Sequence, residues 1–278
     1  MSGSTKSDSA PSQSISDRAN DYRQQRETLV PTEESWRKLL QEGGIKAVLQ
    51  RKKELDDQWR KQPVLIAVVG QTGSGKSTLI RRLLGYQPDD SDGPTIGESI
   101  GECTKEAKEY LKADTGLVYI DLPGVGSTTA AFAFNTSTDQ DAYFKRFKLE
   151  EIDYFLLLSQ NKFNEQEKLL AEYIKKKLKK KFSFIQTKMD QLRGEFGNKK
   201  IERNQGFQAV KDMIREDIKK QLDLDSAERI FLISNDVIEV ERNGQQRWMF
   251  DSKVDYEFDL LIKQIQDDMR AEDALSQR

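Results

Sequence analysis

Short apolar runs alternate with helix-forming segments along most of the chain, from Pro63 onward. Five runs have the length and the β-branched or aromatic content of strands: Val64 to Val69, Leu117 to Leu122, Tyr154 to Ser159, Phe182 to Thr187 and Ile230 to Ser234. Strands separated by helices favour a sheet with helices on both faces. The pattern therefore predicts an α/β domain.

The segments between these runs carry apolar residues at helical spacing. Asn164 and Glu167 have the spacing of a capping box at the start of one helix. The apolar stripes are interpreted as core positions: Leu170, Ile174 and Leu178; Phe207, Val210, Ile214, Ile218 and Leu222; and Val254, Phe258, Leu261, Ile262, Ile265 and Met269.

The first part of the chain has a different character. Residues 1–28 hold almost no large apolar side chains, so they cannot offset their ordering entropy and are predicted to be disordered. Thr32 can then cap a helix, which Gly43-Gly44 interrupts before a second helix from about Ile45 to Lys61. The sequence thus divides into a disordered segment at 1–28, a helical appendage at 29–61 and the α/β domain at 62–278.

Composition narrows the chemistry. Hydrophobic residues make up 36% of the chain and charged residues 33%, so a core can be buried beneath a charged surface. The chain has no histidine, which excludes Ser-His-Asp and Cys-His catalysis and most zinc sites. Cys103 is the single cysteine, so no intrachain disulfide can form and a reducing compartment is expected. A net charge of -2 argues against general nucleic-acid binding.

The sequence shows no targeting signal that we recognise. No apolar run is long enough to span a bilayer. The chain begins Met-Ser-Gly, which is neither a basic-then-apolar signal peptide nor the Met-Gly start of N-myristoylation. We therefore expect a cytoplasmic protein.

The most specific motif lies directly after the first predicted strand. Residues 70–77 fit the phosphate-loop pattern G-x-x-x-x-G-K-[ST], with a strand before and a helix after. Backbone N–H groups of such a loop, together with the helix N-terminus, bind phosphate oxygens. Lys76 is predicted to reach the outer phosphates and Ser77 to hold Mg²⁺. The predicted nucleotide contacts here are Gly70, Thr72, Gly73, Ser74, Gly75, Lys76, Ser77 and Thr78.

A second candidate metal ligand follows the predicted strand that starts at Leu117. Asp121-Leu122-Pro123-Gly124 places Asp121 where it can bind Mg²⁺ through a water, and Gly124 where its N–H can sense a γ-phosphate. The loop between the two motifs is expected to supply a threonine that binds Mg²⁺ only when the γ-phosphate is present. Thr95 and Thr104 are the candidates, and Thr104 is preferred because a strand-like segment follows it.

The third motif concerns the base. Thr187-Lys188-Met189-Asp190 ends a predicted strand, where the Asp190 carboxylate can accept hydrogen bonds from the ring N–H and the exocyclic amine of guanine. Adenine offers no such pair of donors, so the motif favours guanine over adenine. Thr187 stands where this motif usually has asparagine. Ser234-Asn235 ends the last predicted strand, where a backbone N–H can meet the guanine carbonyl.

Together these motifs resemble those of the immunity-related, interferon-inducible GTPases. The resemblance rests on the phosphate loop at 70–77, the run Asp121 to Thr128, Thr187 to Asp190 and Phe231 to Asn235, and it extends from about Trp36 to the C-terminus. It implies a P-loop NTPase fold of the Ras-like G-domain type, with a mixed six-stranded sheet that contains one antiparallel strand, flanked by helices and preceded by N-terminal helices. It also implies binding of GTP, GDP and Mg²⁺, slow hydrolysis stimulated by nucleotide-dependent self-association, and attachment to internal or pathogen-containing membranes.

The catalytic group for hydrolysis is harder to identify. Many small GTPases carry a water-orienting glutamine directly after D-x-x-G, and here that position is Val125. The resemblance implies a catalytic role for Glu102, two residues before Thr104, although Glu102 also reads as an ordinary surface acid. The predicted catalytic set is therefore Lys76, Glu102, Thr104 and Gly124, and a second G domain across a dimer is the other source of the missing group.

Other functions are weighed against the regulatory GTPase. Val125 also fits a GTP-binding scaffold that hardly hydrolyses GTP. A ribosome-assembly GTPase would need an RNA-binding extension, which the sequence does not display, and Asp190 disfavours an ATP-using enzyme. The basic run from Lys175 to Lys181 is interpreted as a solvated helix end, with an anionic membrane or an acidic partner as the alternative.

Overall fold

The computed structural model describes residues 31–59, 63–91, 93–94, 106–112, 115–125, 136–160, 165–224, 229–242, 245–251 and 256–276. These residues belong to two compact units, divided between Gln62 and Pro63. Residues 1–28, for which disorder is predicted, lie outside the described part of the chain.

The N-terminal unit is a helical segment, α1, from Glu33 to Trp59. The Thr32 hydroxyl accepts a hydrogen bond from the Ser35 amide at 3.2 Å, as expected of an N-cap. Gly44 has φ 64° and ψ -169°, which breaks the helical path. The predicted interruption at Gly43-Gly44 is therefore confirmed.

The second unit alternates strands and helices. In chain order its elements are β1 Val64–Gly70, α2 Lys76–Leu84, β2 Lys108–Leu111, β3 Leu117–Asp121, α3 Ser137–Arg146, a short 3₁₀ turn Leu149–Glu151, β4 Tyr154–Ser159, α4 Glu165–Glu172, a π-helical turn Tyr173–Leu178, β5 Lys181–Gln186, α5 Met189–Gly194, α6 Phe196–Gln205, α7 Phe207–Leu222, β6 Ile230–Leu232, β7 Val237–Arg242, β8 Gln245–Phe250 and α8 Phe258–Ser276.

Six of these strands form one sheet in the order β2-β3-β1-β4-β5-β6. β2 runs antiparallel to β3, whereas the other neighbours are parallel. This order, with the phosphate loop after a central strand and one antiparallel strand, is that of a Ras-like G domain. The predicted fold class is confirmed.

Both faces of the sheet are covered, which explains why its strands read as continuous apolar runs. On one face, α2 and α8 pack in a cluster with Ile66, Val68 and Leu156. The alternate residues Ala67 and Phe155 face the other way and are also fully buried.

One prediction about the helices needs correction, and two predicted helix residues lie outside the described part of the chain. The stripe after Leu170 does not continue as a regular α-helix, because residues 173–178 form a π-helical turn that ends at Lys179 with φ 54°. Asn164 and Val254 lie outside the described residues. The Glu167 carboxylate is buried and accepts a hydrogen bond from the Ser159 hydroxyl at 2.9 Å, a contact that the capping-box interpretation did not foresee.

The hairpin β7–β8 forms a separate two-stranded antiparallel sheet. The sequence between its strands is Asn243-Gly244, a pair typical of two-residue hairpin turns, although the hairpin was not among the predicted elements. Arg247 on β8 forms ion pairs with Asp89 at 2.6 Å and Asp90 at 2.9 Å. The hairpin is thereby fastened to the segment that follows α2.

No helix among the residues that the structure describes combines the length and the apolar character needed to cross a bilayer.

Candidate nucleotide-binding site

The predicted site residues lie at one edge of the sheet. The phosphate loop follows β1, Asp121 ends β3, Thr187 follows β5 and Ser234 follows β6. Because these strands are parallel, their carboxyl ends meet at the same edge, which is where ligands bind in open α/β sheets. The fold therefore brings the phosphate, metal and base motifs together.

The phosphate loop has the conformation that its glycines permit. Gly75 caps α2 with φ 86° and ψ 25°, a left-handed conformation that disfavours residues with a side chain. The hydroxyl oxygens of Thr72 and Ser74 are buried and have no hydrogen-bond partner among the described residues. Buried polar atoms are normally paired, so these two hydroxyls indicate a polar ligand in the loop.

Lys76 begins α2 and its side chain is buried. Its ammonium group donates hydrogen bonds to the carbonyl of Gln71 at 2.9 Å and to that of Gly70 at 3.4 Å. The cation therefore lies directly over the loop that its own helix follows. Thr78, also predicted to contact the nucleotide, lies half-buried in the first turn of α2.

The two predicted metal ligands are in direct contact. The Ser77 hydroxyl donates a hydrogen bond to Asp121 Oδ2 at 2.6 Å, across 44 positions of sequence. A hydroxyl and a carboxylate oxygen are hard ligands of the kind that Mg²⁺ takes in nucleotide sites, alongside phosphate oxygens. Within the described part of the chain, no group of three or more Asp, Glu or Cys side chains could hold a metal by itself.

Gly124 makes a close approach to the phosphate loop. A Cβ at this position would lie 2.5 Å from both the amide nitrogen and the hydroxyl of Thr72, so only glycine fits without movement of the loop. The next residue, Val125, donates its amide to the carbonyl of Gly70 at 3.2 Å. Its side chain is buried, with 1% of its surface exposed, and offers no polar group.

The base motif is tied to the phosphate loop through Thr187. Its hydroxyl lies 2.9 Å from the Ser74 carbonyl and 3.0 Å from the Ser159 carbonyl. Lys188 has φ 54°, and its ammonium donates to Gln160 Oε1 at 2.6 Å. Thr187, at the position where the motif usually has asparagine, thus contacts both the phosphate loop and the end of β4.

Asp190, the carboxylate predicted to bind the base, contacts Ser234 after β6. Asp190 lies in the first turn of α5, and its Oδ1 accepts a hydrogen bond from the Ser234 hydroxyl at 2.6 Å. Asn235 follows Ser234, and its side-chain oxygen lies 3.3 Å from Arg82 Nη1. The two parts of the predicted base site are therefore joined directly.

Comparison with known families agrees with this geometry. A family model described as "Interferon-inducible GTPase (IIGP)" matches residues 31–241. The chain belongs to the interferon-inducible GTPase family.

Individual members of the interferon-inducible GTPase family are also similar to the chain. The mouse protein "Interferon-gamma-inducible GTPase 10" is 36% identical over 209 residues, which cover 73% of this chain and 47% of that protein. The mouse "Interferon-inducible GTPase 1" is 35% identical over 126 residues, which cover 45% of this chain and 28% of that protein. The chain spans about half the length of such relatives.

Among solved structures, Era of Aquifex aeolicus bound to GDP·AlF4⁻ is 21% identical and has a TM-score of 0.46. The match covers 72% of this chain and 55% of that chain.

Three residues predicted for the switch loop of this interferon-inducible GTPase lie outside the described residues. They are Thr95, Glu102 and Thr104, so the expected γ-phosphate-sensing threonine and the expected catalytic acid stay predictions. The segment that leads toward them is held by Arg81, a buried residue of α2 that the sequence did not single out. Its guanidinium donates to the carbonyls of Gln87 at 2.6 Å, Pro94 at 2.7 Å and Asp90.

The basic run lies on the surface of the domain. Lys175, Lys176 and Lys177 are exposed at the end of the π-helical turn. Lys176 pairs with Glu172 and Lys177 with Asp141, each at 3.2 Å. These pairs accord with a solvated helix end, while the interaction with an anionic surface or partner stays a prediction.

Tyr143 is a further site residue that sequence reasoning missed. It lies on α3, whose start is fixed by a capping box between Thr136 and Asp139. Its buried hydroxyl donates to the Pro123 carbonyl at 2.8 Å, in the peptide just before Gly124. Burial, and secondarily the Asp121 carboxylate, raise the pKa of the Tyr143 hydroxyl, so the group stays a donor at neutral pH.

We expect Tyr143→Phe to destabilise the domain by about 1–3 kcal/mol, because the change leaves the buried Pro123 carbonyl without this donor. Urea unfolding measures the effect. Tyr173→Phe is the matched control, since the Tyr173 hydroxyl bonds Asp141 at 3.1 Å in a less buried position. Equal losses of stability in the two variants would contradict the special role of the Tyr143 contact.

Proposed function

We propose that this chain is a regulatory GTPase that binds GTP and GDP with Mg²⁺ and hydrolyses GTP slowly. One observation carries the proposal. The phosphate loop, the Ser77–Asp121 pair and the Thr187–Asp190 motif converge at one edge of the sheet in a member of the interferon-inducible GTPase family. The phosphate, metal and base motifs are close enough together to bind one nucleotide.

The phosphate loop accounts for triphosphate binding. The N–H groups at the start of α2 and the buried Lys76 ammonium offer positive charge to the phosphates, and the Thr72 and Ser74 hydroxyls offer further polar contacts. Mg²⁺, when bound, would neutralise charge on the β- and γ-phosphates. Ser77 would hold the ion directly and Asp121 through a water. The Ser77 hydroxyl could bind the ion through its oxygen while still donating its proton to Asp121.

The base site accounts for the choice of nucleotide. Asp190 is an acceptor at a position where guanine presents two donors and adenine presents none. Adenine would leave the carboxylate without these partners, which costs far more than a missing apolar contact. Guanine is therefore the base that this site selects.

Slow hydrolysis follows from Val125. Its buried side chain cannot orient a water, so the isolated domain lacks this contribution to catalysis. We infer that the missing group comes from the loop with Glu102 and Thr104 or from a second copy of the G domain. Turnover would then rise as copies associate.

The cellular role is proposed from the relatives. They include mouse proteins named as an interferon-gamma-inducible GTPase and a T-cell-specific guanine nucleotide triphosphate-binding protein. We propose an immunity-type role in the cytoplasm, with peripheral association at internal membranes and self-association in the GTP state.

The test is fluorescent GDP binding together with single-turnover GTP hydrolysis over a range of protein concentrations. We expect GDP to bind far more tightly than ADP, and the hydrolysis rate per molecule to rise with concentration. Light scattering should show larger particles with a GTP analogue than with GDP. Equal affinity for GDP and ADP would refute the guanine assignment.

A GTP-binding scaffold is the second candidate, and the buried Val125 favours it. The same measurement separates the two functions. Hydrolysis that stays at the background rate at every concentration, in a protein that binds GTP tightly, would establish the scaffold.

A further inference from the structure

Arg82 lies on α2, six positions after Lys76, and reaches across to the end of β6. Its Nη1 donates to the Ser234 carbonyl at 2.8 Å and lies 3.3 Å from Asn235 Oδ1. These contacts span more than 150 positions of sequence. The helix that follows the phosphate loop therefore holds the two residues that the sequence assigns to the guanine carbonyl, here called the base loop (Ser234 and Asn235).

Aromatic rings fix the position of the Arg82 guanidinium. Its Cζ lies 3.9 Å from the ring centroid of Phe258 and 5.6 Å from that of Phe250. A guanidinium is attracted to aromatic faces at these distances. Phe250 ends the hairpin strand β8 and Phe258 begins α8. The elements after the base loop thus position the cation that holds it.

The Ser234 hydroxyl carries this constraint to the base-reading carboxylate. Ser234 Oγ accepts a hydrogen bond from the Asp236 amide at 3.3 Å, so its own proton is available to Asp190 Oδ1, 2.6 Å away. A carboxylate has about four lone-pair positions, which leaves room for the two donors of guanine. The orientation of Asp190 therefore depends on where Ser234 is held.

We propose that Arg82 is a positioning residue for guanine selection, acting on Asp190 through Ser234. The inference rests on the proposed function, because it concerns the same base site. Arg82 touches neither the base nor the phosphates in this scheme. It fixes the base loop so that the Asp190 carboxylate meets the exocyclic amine of guanine.

The exocyclic amine gives a direct readout. Inosine diphosphate has the ring N–H of guanine and lacks the amine, so the ratio of GDP to inosine diphosphate affinity reports the contact between Asp190 and the amine. A change that only loosened the fold would weaken both ligands equally. A change that turned Asp190 away from the amine would weaken GDP more.

The experiment uses the full chain and titrations with both diphosphates. Arg82→Lys keeps the charge and loses the planar fork of donors. We expect GDP affinity to fall about tenfold, because the less firmly held base loop costs Asp190 one hydrogen bond to guanine, and the GDP to inosine diphosphate ratio to fall at least threefold. Arg203→Lys is the matched control, since Arg203 is exposed on α6, and it should leave both quantities unchanged.

Ser234→Ala provides a second route to the same answer if Arg82→Lys does not fold. It removes the hydroxyl and leaves the carbonyl in place, so the affinity ratio should fall similarly. In a folded double variant, Arg82→Lys should add little to the loss of ratio caused by Ser234→Ala.

The outcomes separate the two proposals. A parent protein that binds neither diphosphate overturns the proposed function itself. If the parent prefers GDP and Arg82→Lys keeps the full ratio, or lowers both affinities equally, the positioning role of Arg82 is wrong. If only Ser234→Ala folds, an unchanged ratio in that variant overturns it as well.

Discussion

Lys76→Ala is expected to lower the affinity for GDP and GTP by at least about 100-fold, because the change removes a buried cation from the phosphate site. The ammonium lies within 3.4 Å of two carbonyls of the phosphate loop and is the cation placed over that loop by its own helix. Phosphates that bind in the variant would lack the positive charge of this buried side chain.

Titration with fluorescent GDP measures the effect, and the thermal midpoint without nucleotide shows whether the variant folds. The parent should also gain thermal stability from GDP, and the variant should lose that gain. Lys200→Ala is a suitable control, because Lys200 is exposed on α6 and belongs to none of the site motifs. A Lys76→Ala protein that binds GDP within threefold of the parent would show that the phosphates bind elsewhere.

Asp190→Asn is expected to change the preferred base from guanine to xanthine. Guanine has an amine at position 2, whereas xanthine has a carbonyl there. The asparagine amide can donate to that carbonyl, and it presents two N–H donors where guanine also presents donors. We expect GDP affinity to fall on the order of 10³- to 10⁴-fold, because the N–H donors of asparagine then face the N–H donors of guanine.

Competition between GDP and xanthosine diphosphate measures the inversion. The Ser234 hydroxyl can still donate to the amide oxygen of the new side chain, so the base loop should keep its place. Asp259→Asn changes the same group at an exposed position on α8 and should leave the preference for GDP intact. An Asp190→Asn protein that still selects GDP would place the base outside this motif.

The elements that the sequence predicted well carry their information locally. β1 is a run of apolar residues next to a glycine-rich loop, so its strand and the turn that follows can be recognised within about ten residues. The order of the motifs along the chain then indicated the fold class of the sheet. The segment that forms β2 is strand-like in the sequence, whereas its antiparallel direction was implied only by the family resemblance, since the four residues Lys-Glu-Tyr-Leu do not show which way a strand runs.

The contacts that the sequence could not reveal join distant positions. Thr187 meets Ser74 across 113 positions and Tyr143 meets Pro123 across 20. Neither contact produces a repeating pattern in the sequence, because each is made by one hydroxyl group that looks like many others along the chain. Nothing in the sequence distinguishes Tyr143 from other aromatic residues, and only the packed structure shows which carbonyl its hydroxyl meets.

The hairpin β7–β8 is a different kind of omission. Its signal was present, with Asn243-Gly244 between two segments rich in β-branched and aromatic residues. The two strands between Asn235 and the last helix were not among the predicted elements. Arg247 on this hairpin pairs with Asp89 and Asp90, so the element bears on the segment that precedes the predicted switch threonines.

The single hydroxyl of Thr187 has a consequence for how long a nucleotide stays bound. An asparagine amide brings two hydrogens to this position, whereas a hydroxyl brings one, and the carbonyls of Ser74 and Ser159 both lie within 3.0 Å of it. The Ser159 carbonyl also accepts a hydrogen bond from the Thr187 amide at 2.7 Å. The proton of the Thr187 hydroxyl is therefore needed mainly by the Ser74 carbonyl. This contact between the phosphate loop and Thr187 of the base motif therefore uses a single proton. We expect this contact to break more readily than one made by an amide, which would shorten the residence time of a bound diphosphate.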